Sequence, residues 1–288
     1  MLNFVTWNVD PILIHIGDGG VRWYGLLWAI GIYLAFLIQV KLYKNENCPK
    51  EWPDKLFMWM VIGLIIGARV GHCWFYEWYY VPENPVEIFG MTINYRNPYI
   101  EQPWLLIRIW EGGLASHGGA IGLITAAWLL NKKVFSKEPQ FHTSLLWIMD
   151  RLVVGVGITA TLIRLGNLMN SEIYGTPTDL PWGFVFVRNG EELPRHPTQI
   201  YEMLYCIVAF IVIWLLYWKA KAYKREGLLL GVFLEIIFFT RFMLEFIKKN
   251  QEEFENGQLL NMGQILSLPF IIWGIYLIIR AYKRPALP

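Results

Sequence analysis

Residues 143–172 read TSLLWIMDRLVVGVGITATLIRLGNLMNSE, and this stretch decides the class of the fold. Positions 143–166 are long and apolar enough to cross a hydrocarbon core, which is about 30 Å thick and takes roughly 20 residues. Yet the same stretch carries Asp150, Arg151 and Arg164. Each such group costs at least ~2.5–3.5 kcal/mol at membrane depth, so an ionisable residue there is a functional hypothesis by default.

Six other stretches share this character. The predicted spans are about 23–40, 56–76, 112–130, 143–166, 199–218, 227–247 and 262–280. The third is the least apolar, because it opens with four glycines around a histidine. Composition agrees: 55% of the 288 residues are hydrophobic and 17% charged, against about a quarter charged in soluble domains. Fifteen Trp, fifteen Tyr and seventeen Phe suit the belts of amphipathic rings found at headgroup depth. The net charge of +2 singles out no nucleic-acid partner, and none is expected.

Orientation follows from Lys and Arg in the connecting segments. Fourteen lie on one side, within 41–55, 132–137, 219–225 and 280–284, and seven on the other. The positive-inside rule makes the fourteen cytoplasmic, with the N-terminus outside and the C-terminus inside. No cleavable signal is expected, since Met1 to Pro11 lacks a basic region. Cys48, Cys73 and Cys206 are scattered and form no metal or redox motif. The expectation is an all-α integral membrane protein, a seven-transmembrane-helix bundle with small outer-face loops or a head. Residues 1–288 form a single polytopic membrane domain, with no internal repeat.

The remaining four basic residues, Arg69, Arg151, Arg164 and Arg241, fall inside predicted spans. Arg241 and Glu245 share a helix face at i,i+4 spacing, either as a self-satisfied pair or as part of an anionic-headgroup site. Arg151 follows Asp150 directly, so each needs a partner elsewhere, and interhelical bracing is expected. Arg69 sits in Gly67-Ala68-Arg69-Val70-Gly71-His72, whose small residues admit a close neighbour; it either braces the bundle or reaches toward phosphate. Arg164 is the foremost candidate, because Asn167, Asn170, Ser171 and Glu172 gather beside it. A guanidinium offers a planar fork of donors that matches phosphate oxygens. Among the histidines, His196 lies between Pro194 and Pro197, and His117 lies among four glycines. Irregular backbone at membrane depth must line a cavity or be buried in protein, and an imidazole titrating near 6.5 suits proton transfer.

Five blocks in order resemble the prolipoprotein diacylglyceryl transferase family. They are Arg22-Trp23-Tyr24-Gly25-Leu26; Gly67-Ala68-Arg69-Val70-Gly71; and Trp110-Glu111-Gly112-Gly113 running to His117-Gly118-Gly119. The fourth runs from Arg164-Leu165-Gly166-Asn167 through Glu172 and Gly175 to Pro194-Arg195-His196-Pro197 and Tyr201-Glu202. The fifth is Arg241 to Glu245 with Gly263-Gln264-Ile265-Leu266-Ser267-Leu268-Pro269. The resemblance implies transfer of the diacylglyceryl group of phosphatidylglycerol to the cysteine thiol of a preprolipoprotein signal peptide. A thioether forms and glycerol phosphate leaves, at the outer face of the bacterial cytoplasmic (inner) membrane. It implies no cofactor, metal or nucleotide, and a monomer working in the lipid bilayer.

His117, Arg164 and Arg241 are then the expected catalytic residues. Tyr24, Arg69, Tyr76, Asn167, Asn170, Glu172, Gly175, His196, Glu202 and Glu245 are expected to bind substrate, with Glu172 and Glu245 orienting the arginines. Either His117 takes the cysteine proton or the arginine field lowers the thiol pKa. The chain departs from the family pattern in three places. Ala115-Ser116-His117 stands for Ser-Phe-His, and Asn170-Ser171-Glu172 for Asn-Gly-Glu. Phe246-Ile247-Lys248-Lys249-Asn250-Gln251 stands where an arginine and a Pro-Asp pair are expected, with Lys248 keeping the charge. Residues 77–103 are longer than expected, as a membrane-lying arm or a lineage-specific loop. An anion transporter should show inverted repeats and broken midplane helices, and the sequence has neither. A membrane scaffold leaves Arg164 to Glu172 unexplained. An intramembrane protease needs paired Asp or Ser–His, and Asp150 is the only aspartate in a span.

Overall fold

The computed structural model describes residues 4–17, 19–80, 86–88, 91–93, 95–108, 113, 115–248 and 260–287. The described chain is mostly helical. Helices α1 (Trp23–Asn45), α2 (Trp52–Phe75), α3 (Ser116–Lys133), α4 (Leu145–Met169) and α5 (Thr198–Trp218) follow in order. Next, α6 is the run 228–247, which is α-helical over Leu228–Leu234, π-helical over Glu235–Phe239, α-helical over Thr240–Leu244 and 3-10 over Glu245–Ile247. Last comes α7 (Met262–Lys283).

Among the described residues, five helices are long and apolar enough to cross a membrane: α1, α2, α4, α5 and α7. In lipid a helix satisfies its own backbone polar groups, which is why such apolar runs take this form. Their outward faces stay apolar, with Ile66 57%, Leu204 53% and Ile272 67% exposed, while Gln39, Asp150, Arg151, Glu202 and Gln264 are buried. A soluble protein has the opposite arrangement. The third predicted span starts at 112, but Gly112 and Leu114 lie outside the described residues, and helix begins at Ser116.

The chain divides into two compact units, Cys48–Leu145 and the remainder. The smaller unit is built on α2 and α3, which meet along a seam of small residues. A Cβ added at Gly67 would fall 2.6 Å from Gly122 Cα and closer still to the Gly118 carbonyl oxygen. Only glycine permits this backbone approach, the membrane form of small-xxx-small packing. At the far end Trp52 stacks on Phe135 at 4.0 Å.

In the larger unit α4 is the most deeply buried helix. Thr159 Oγ1 donates to the Gly31 carbonyl of α1 at 2.9 Å. At its first turns the Asp150 carboxylate accepts the backbone N–H groups of Gly227 (2.6 Å) and Leu230 (2.9 Å). It thereby caps α6 from another helix, supplying acceptors for otherwise orphaned first-turn donors. Arg151 beside it donates to both Glu46 oxygens and to the Trp147 and Tyr223 carbonyls, which is the expected brace. Helix α7 starts with a reciprocal capping box between Asn261 and Gln264.

The connection from α4 to α5 is ordered by a short strand pair absent from the sequence expectation, Val5–Trp7 in parallel with Phe184–Phe186. Before α1, Ile12–Ile16 pairs antiparallel with Gly19–Arg22 as a separate hairpin. Three-residue strands whose partners lie about 180 residues away leave no alternating pattern to read. Trp7 Nε1 donates to the Leu168 carbonyl at 2.9 Å, tying this piece to the end of α4.

Candidate active site

The last turn of α4 assembles the polar cluster. Arg164 Nη1 donates to Asn167 Oδ1 at 3.1 Å, and Asn167 Nδ2 donates to Glu172 Oε1 at 2.7 Å. Asn170 Nδ2 reaches the same oxygen at 3.3 Å, while its own carbonyl oxygen is buried with no partner among the described residues. Gln199 Nε2 holds the Glu172 backbone carbonyl at 2.6 Å. Tyr24 lies flat against this turn: a Cβ at Gly166 would sit 2.8 Å from Tyr24 Cδ2.

The carboxylate directly against Arg164 is Glu202, with Arg164 Nε to Glu202 Oε2 at 2.7 Å. Glu172, expected to orient the arginine, is linked to it among the described residues through Asn167. Glu202 Oε1 in turn lies 2.6 Å from Lys248 Nζ, and Lys248 Nζ lies 3.2 Å from Glu245 Oε1. Arg241 Nε stands 3.7 Å from that same Glu245 oxygen. Five charges thus alternate from Arg164 to Arg241 across α4, α5 and α6. Of the inner three, Glu202 and Lys248 are buried, with side-chain exposures of 1% and 6%, and Glu245 is partly buried at 11%. The two guanidiniums at the ends remain open, at 23% and 39%. Asn261 Nδ2 adds a hydrogen bond to Glu245 Oε2 at 3.2 Å.

Above the cluster, Gly175 is threaded between two chain segments. Its N–H donates to the His196 carbonyl at 2.9 Å, and Thr176 N–H donates to the Ile247 carbonyl at 3.0 Å. A Cβ at Gly175 would lie 2.5 Å from the Ile247 oxygen and 2.8 Å from His196 Cβ. His196 Nδ1 is 3.2 Å from the Tyr201 hydroxyl, which accepts Trp182 Nε1–H at 2.8 Å. Burial holds the His196 imidazole below its ordinary value. The backbone here is strained: Ser171 and Ile173 both have left-handed φ, +55° and +61°. A β-branched residue there is an outlier, and such outliers concentrate where surrounding structure over-determines them.

The other expected residues belong to the smaller unit. His117 is the second residue of α3 and is exposed; Trp110 and Glu111 of its motif lie outside the described residues. Arg69 is buried and donates to the carbonyls of Leu105 (2.7 Å), Leu106 (3.1 Å) and Gly113 (3.3 Å), and its guanidinium lies over the Tyr99 ring at 5.1 Å. These contacts tie α2 to the backbone at Leu105, Leu106 and Gly113. Tyr76 stacks on His72 at 5.9 Å, and His72 Nε2 is 2.8 Å from Glu77 Oε1. Of the segment 77–103, only part is described.

Two contributions escape a reading of the sequence. Lys248 stands out there only as a retained charge, although its i,i+3 spacing from Glu245 is visible. Its second partner, Glu202, lies on a different helix, and no sequence spacing signals that pairing. Gln199, three residues before Glu202, carries no signal either.

Comparison with known proteins covers nearly the whole chain. Residues 11–280 match the family profile described as prolipoprotein diacylglyceryl transferase. A phosphatidylglycerol–prolipoprotein diacylglyceryl transferase of Porphyromonas gingivalis is 45% identical, over 98% of this chain and 96% of its own length. Proteins of the same name from Tolumonas auensis and Chloroherpeton thalassium are 40% and 38% identical, over 97% and 99% of this chain and 98% and 97% of their own.

Proposed function

The chain belongs to the prolipoprotein diacylglyceryl transferase family, and from that premise we propose that it is the transferase itself. It moves the diacylglyceryl group of phosphatidylglycerol onto the lipobox cysteine thiol of preprolipoproteins, the first step of lipoprotein maturation. The full reading is a single polytopic domain of seven spans, α3 and α6 included, in the bacterial cytoplasmic membrane. The N-terminus and the active site lie on the outer face, and the protein works as a monomer without a cofactor.

The reaction forms a bond from sulfur to the glyceryl carbon that bore the phosphate ester. The carbon–oxygen bond breaks, and the oxygen leaves with glycerol phosphate. The nucleophile must be a thiolate, since a thiol is a poor one. His117 takes the cysteine proton. Arg164 and Arg241 bind the phosphate and stabilise the charge that grows on it, the kind of term that usually dominates catalysis. Tyr24, Asn167 and Asn170 contribute neutral hydrogen bonds to the headgroup. Glu202 and Glu245 hold the guanidiniums from behind, and Glu172 aligns Asn167 and Asn170. Arg69 and Tyr76 contribute to substrate binding, while Gly175 and His196 fix the roof over the arginine cluster.

One observation carries this reading. Two partly open guanidiniums are held at the ends of one chain of charges, through buried Glu202 and Lys248 and partly buried Glu245, at the tip of membrane helices. Such a chain leaves each fork a free edge for an anion, where a structural pair would close it. The test is purified protein with labelled phosphatidylglycerol and a signal peptide containing the acceptor cysteine. Thioether product is expected; its absence, under conditions where the Porphyromonas gingivalis relative is active, sinks the reading.

A further inference from the structure

Lys248 has no place in the chemistry just described, yet it is the centre of the charge chain. Its ammonium is 2.6 Å from Glu202 and 3.2 Å from Glu245, and those carboxylates are the ones against Arg164 and Arg241. We propose that Lys248 is a positioning residue for the phosphate-binding arginines, seated by Gly175 and acting through Glu202 and Glu245. This rests on the reading of Arg164 and Arg241 as the headgroup site.

The electrostatic argument is direct. Without Lys248, two carboxylates would face two guanidiniums, each carboxylate free to swing into a fuller embrace of its arginine. Closed pairs of that kind would spend the donors a phosphate needs. The ammonium offers each carboxylate a second, buried partner, so each binds its arginine by one side only. Burial makes this effective, because charge interactions strengthen as water is excluded. A buried ammonium must also be held in place. Lys248 forms a bridge with Gly175, and the adjacent Ile247 carbonyl accepts both the N–H and the hydroxyl of Thr176. The absent side chain at Gly175 therefore lets the loop after α4 clamp the backbone that aims Lys248. Arginine in the same place would keep the charge but bring a longer, planar fork.

The experiment compares wild type, Lys248→Met, Lys248→Arg and Lys248→Met/Glu202→Gln in the thioether assay, measuring kcat and KM for phosphatidylglycerol separately. Lys248→Met is expected to raise KM by about tenfold or more, as truncating one partner of a buried charge pair does, with a smaller change in kcat. Lys248→Arg should stay within about threefold of wild type, and the double variant should recover at least about threefold of the single variant's loss by restoring the wild-type excess of one positive charge. Wild-type KM and kcat in Lys248→Met overturn the proposal, as does a Lys248→Arg enzyme as damaged as Lys248→Met. If Lys248→Met does not fold, Lys248→Arg decides against wild type: a KM within about threefold supports the proposal, and a rise of about tenfold or more overturns it. An inactive wild type would instead strike at the transferase reading itself.

Discussion

Helix α4 carries an arginine near each end, and the two are treated in opposite ways. At Arg151 every nitrogen is spent: Glu46 takes two bonds from Nε and one from Nη2, the Trp147 carbonyl takes Nη1, and the Tyr223 carbonyl takes Nη2. The side chain is 1% exposed. At Arg164 one carboxylate and one amide engage the guanidinium, and 23% of the side chain stays open. Both residues meet the membrane's demand that a buried charge be paired. A closed arginine stabilises helices against one another; an open one keeps donors in reserve for a ligand. Residue type and span position do not separate them, but saturation of the fork does.

Four changes break or sharpen that contrast. Arg164→Ala should reduce thioether formation by about a hundredfold or more, the scale of losing a main stabiliser of transition-state charge, with little change in unfolding temperature in detergent. Near-normal turnover would remove the distinction between the two ends. Arg151→Ala should do the reverse, costing about 3–5 kcal/mol of stability by stranding Glu46 and the carbonyls. The fraction that remains folded should turn over normally. A catalytic loss without a stability loss would show that the closed arginine also serves chemistry.

His196 gives a smaller effect with a definite sign. Its folded pKa lies below the ordinary 6.5 because of burial, so the unfolded chain binds the proton more readily. Its contribution is fully present above the unfolded value and is lost as pH falls through the folded value. Comparing unfolding temperatures between about pH 7.5 and 5, wild type should lose more on acidification than His196→Gln; parallel curves would show the imidazole is indifferent. The smallest change is Ser171→Gly. Relieving the left-handed φ of +55° should stabilise the protein by about 1 kcal/mol, measured as a raised unfolding temperature with activity intact. A lowered one would mean the serine's own contacts outweigh the strain.

Much of the helical skeleton is legible in the sequence, because a bilayer demands long apolar runs and leaves little freedom in how they fold. Asp150 and Arg151 announce there a need for distant partners, and Glu46, Gly227 and Leu230 supply them. The cluster at Arg164, Asn167, Asn170 and Glu172 is also legible, since helix spacing and one tight turn bring these residues together. Pairings across helices are hidden: Glu202 against Arg164, and Lys248 between two carboxylates. They depend on how three helices rotate about their axes, which hydropathy does not encode. The glycine that the resemblance expects in place of Ser171 acquires a cause only from the backbone, for glycine adopts freely the φ that Ser171 is forced to take.

The π-helical turn Glu235–Phe239 in α6 bears on how the gene can change length. A turn bonded i to i+5 spends about one residue more than an α-turn to cover the same rotation. Deleting one residue there would let the turn relax to ordinary α-helix while Arg241 and Glu245 keep their heading. Deleting one from the regular helix between Thr240 and Leu244 would instead swing whatever follows through about 100°. The surplus residue is thus a length allowance for the site, a place where the loss of one residue can be absorbed without re-aiming the charges beyond it.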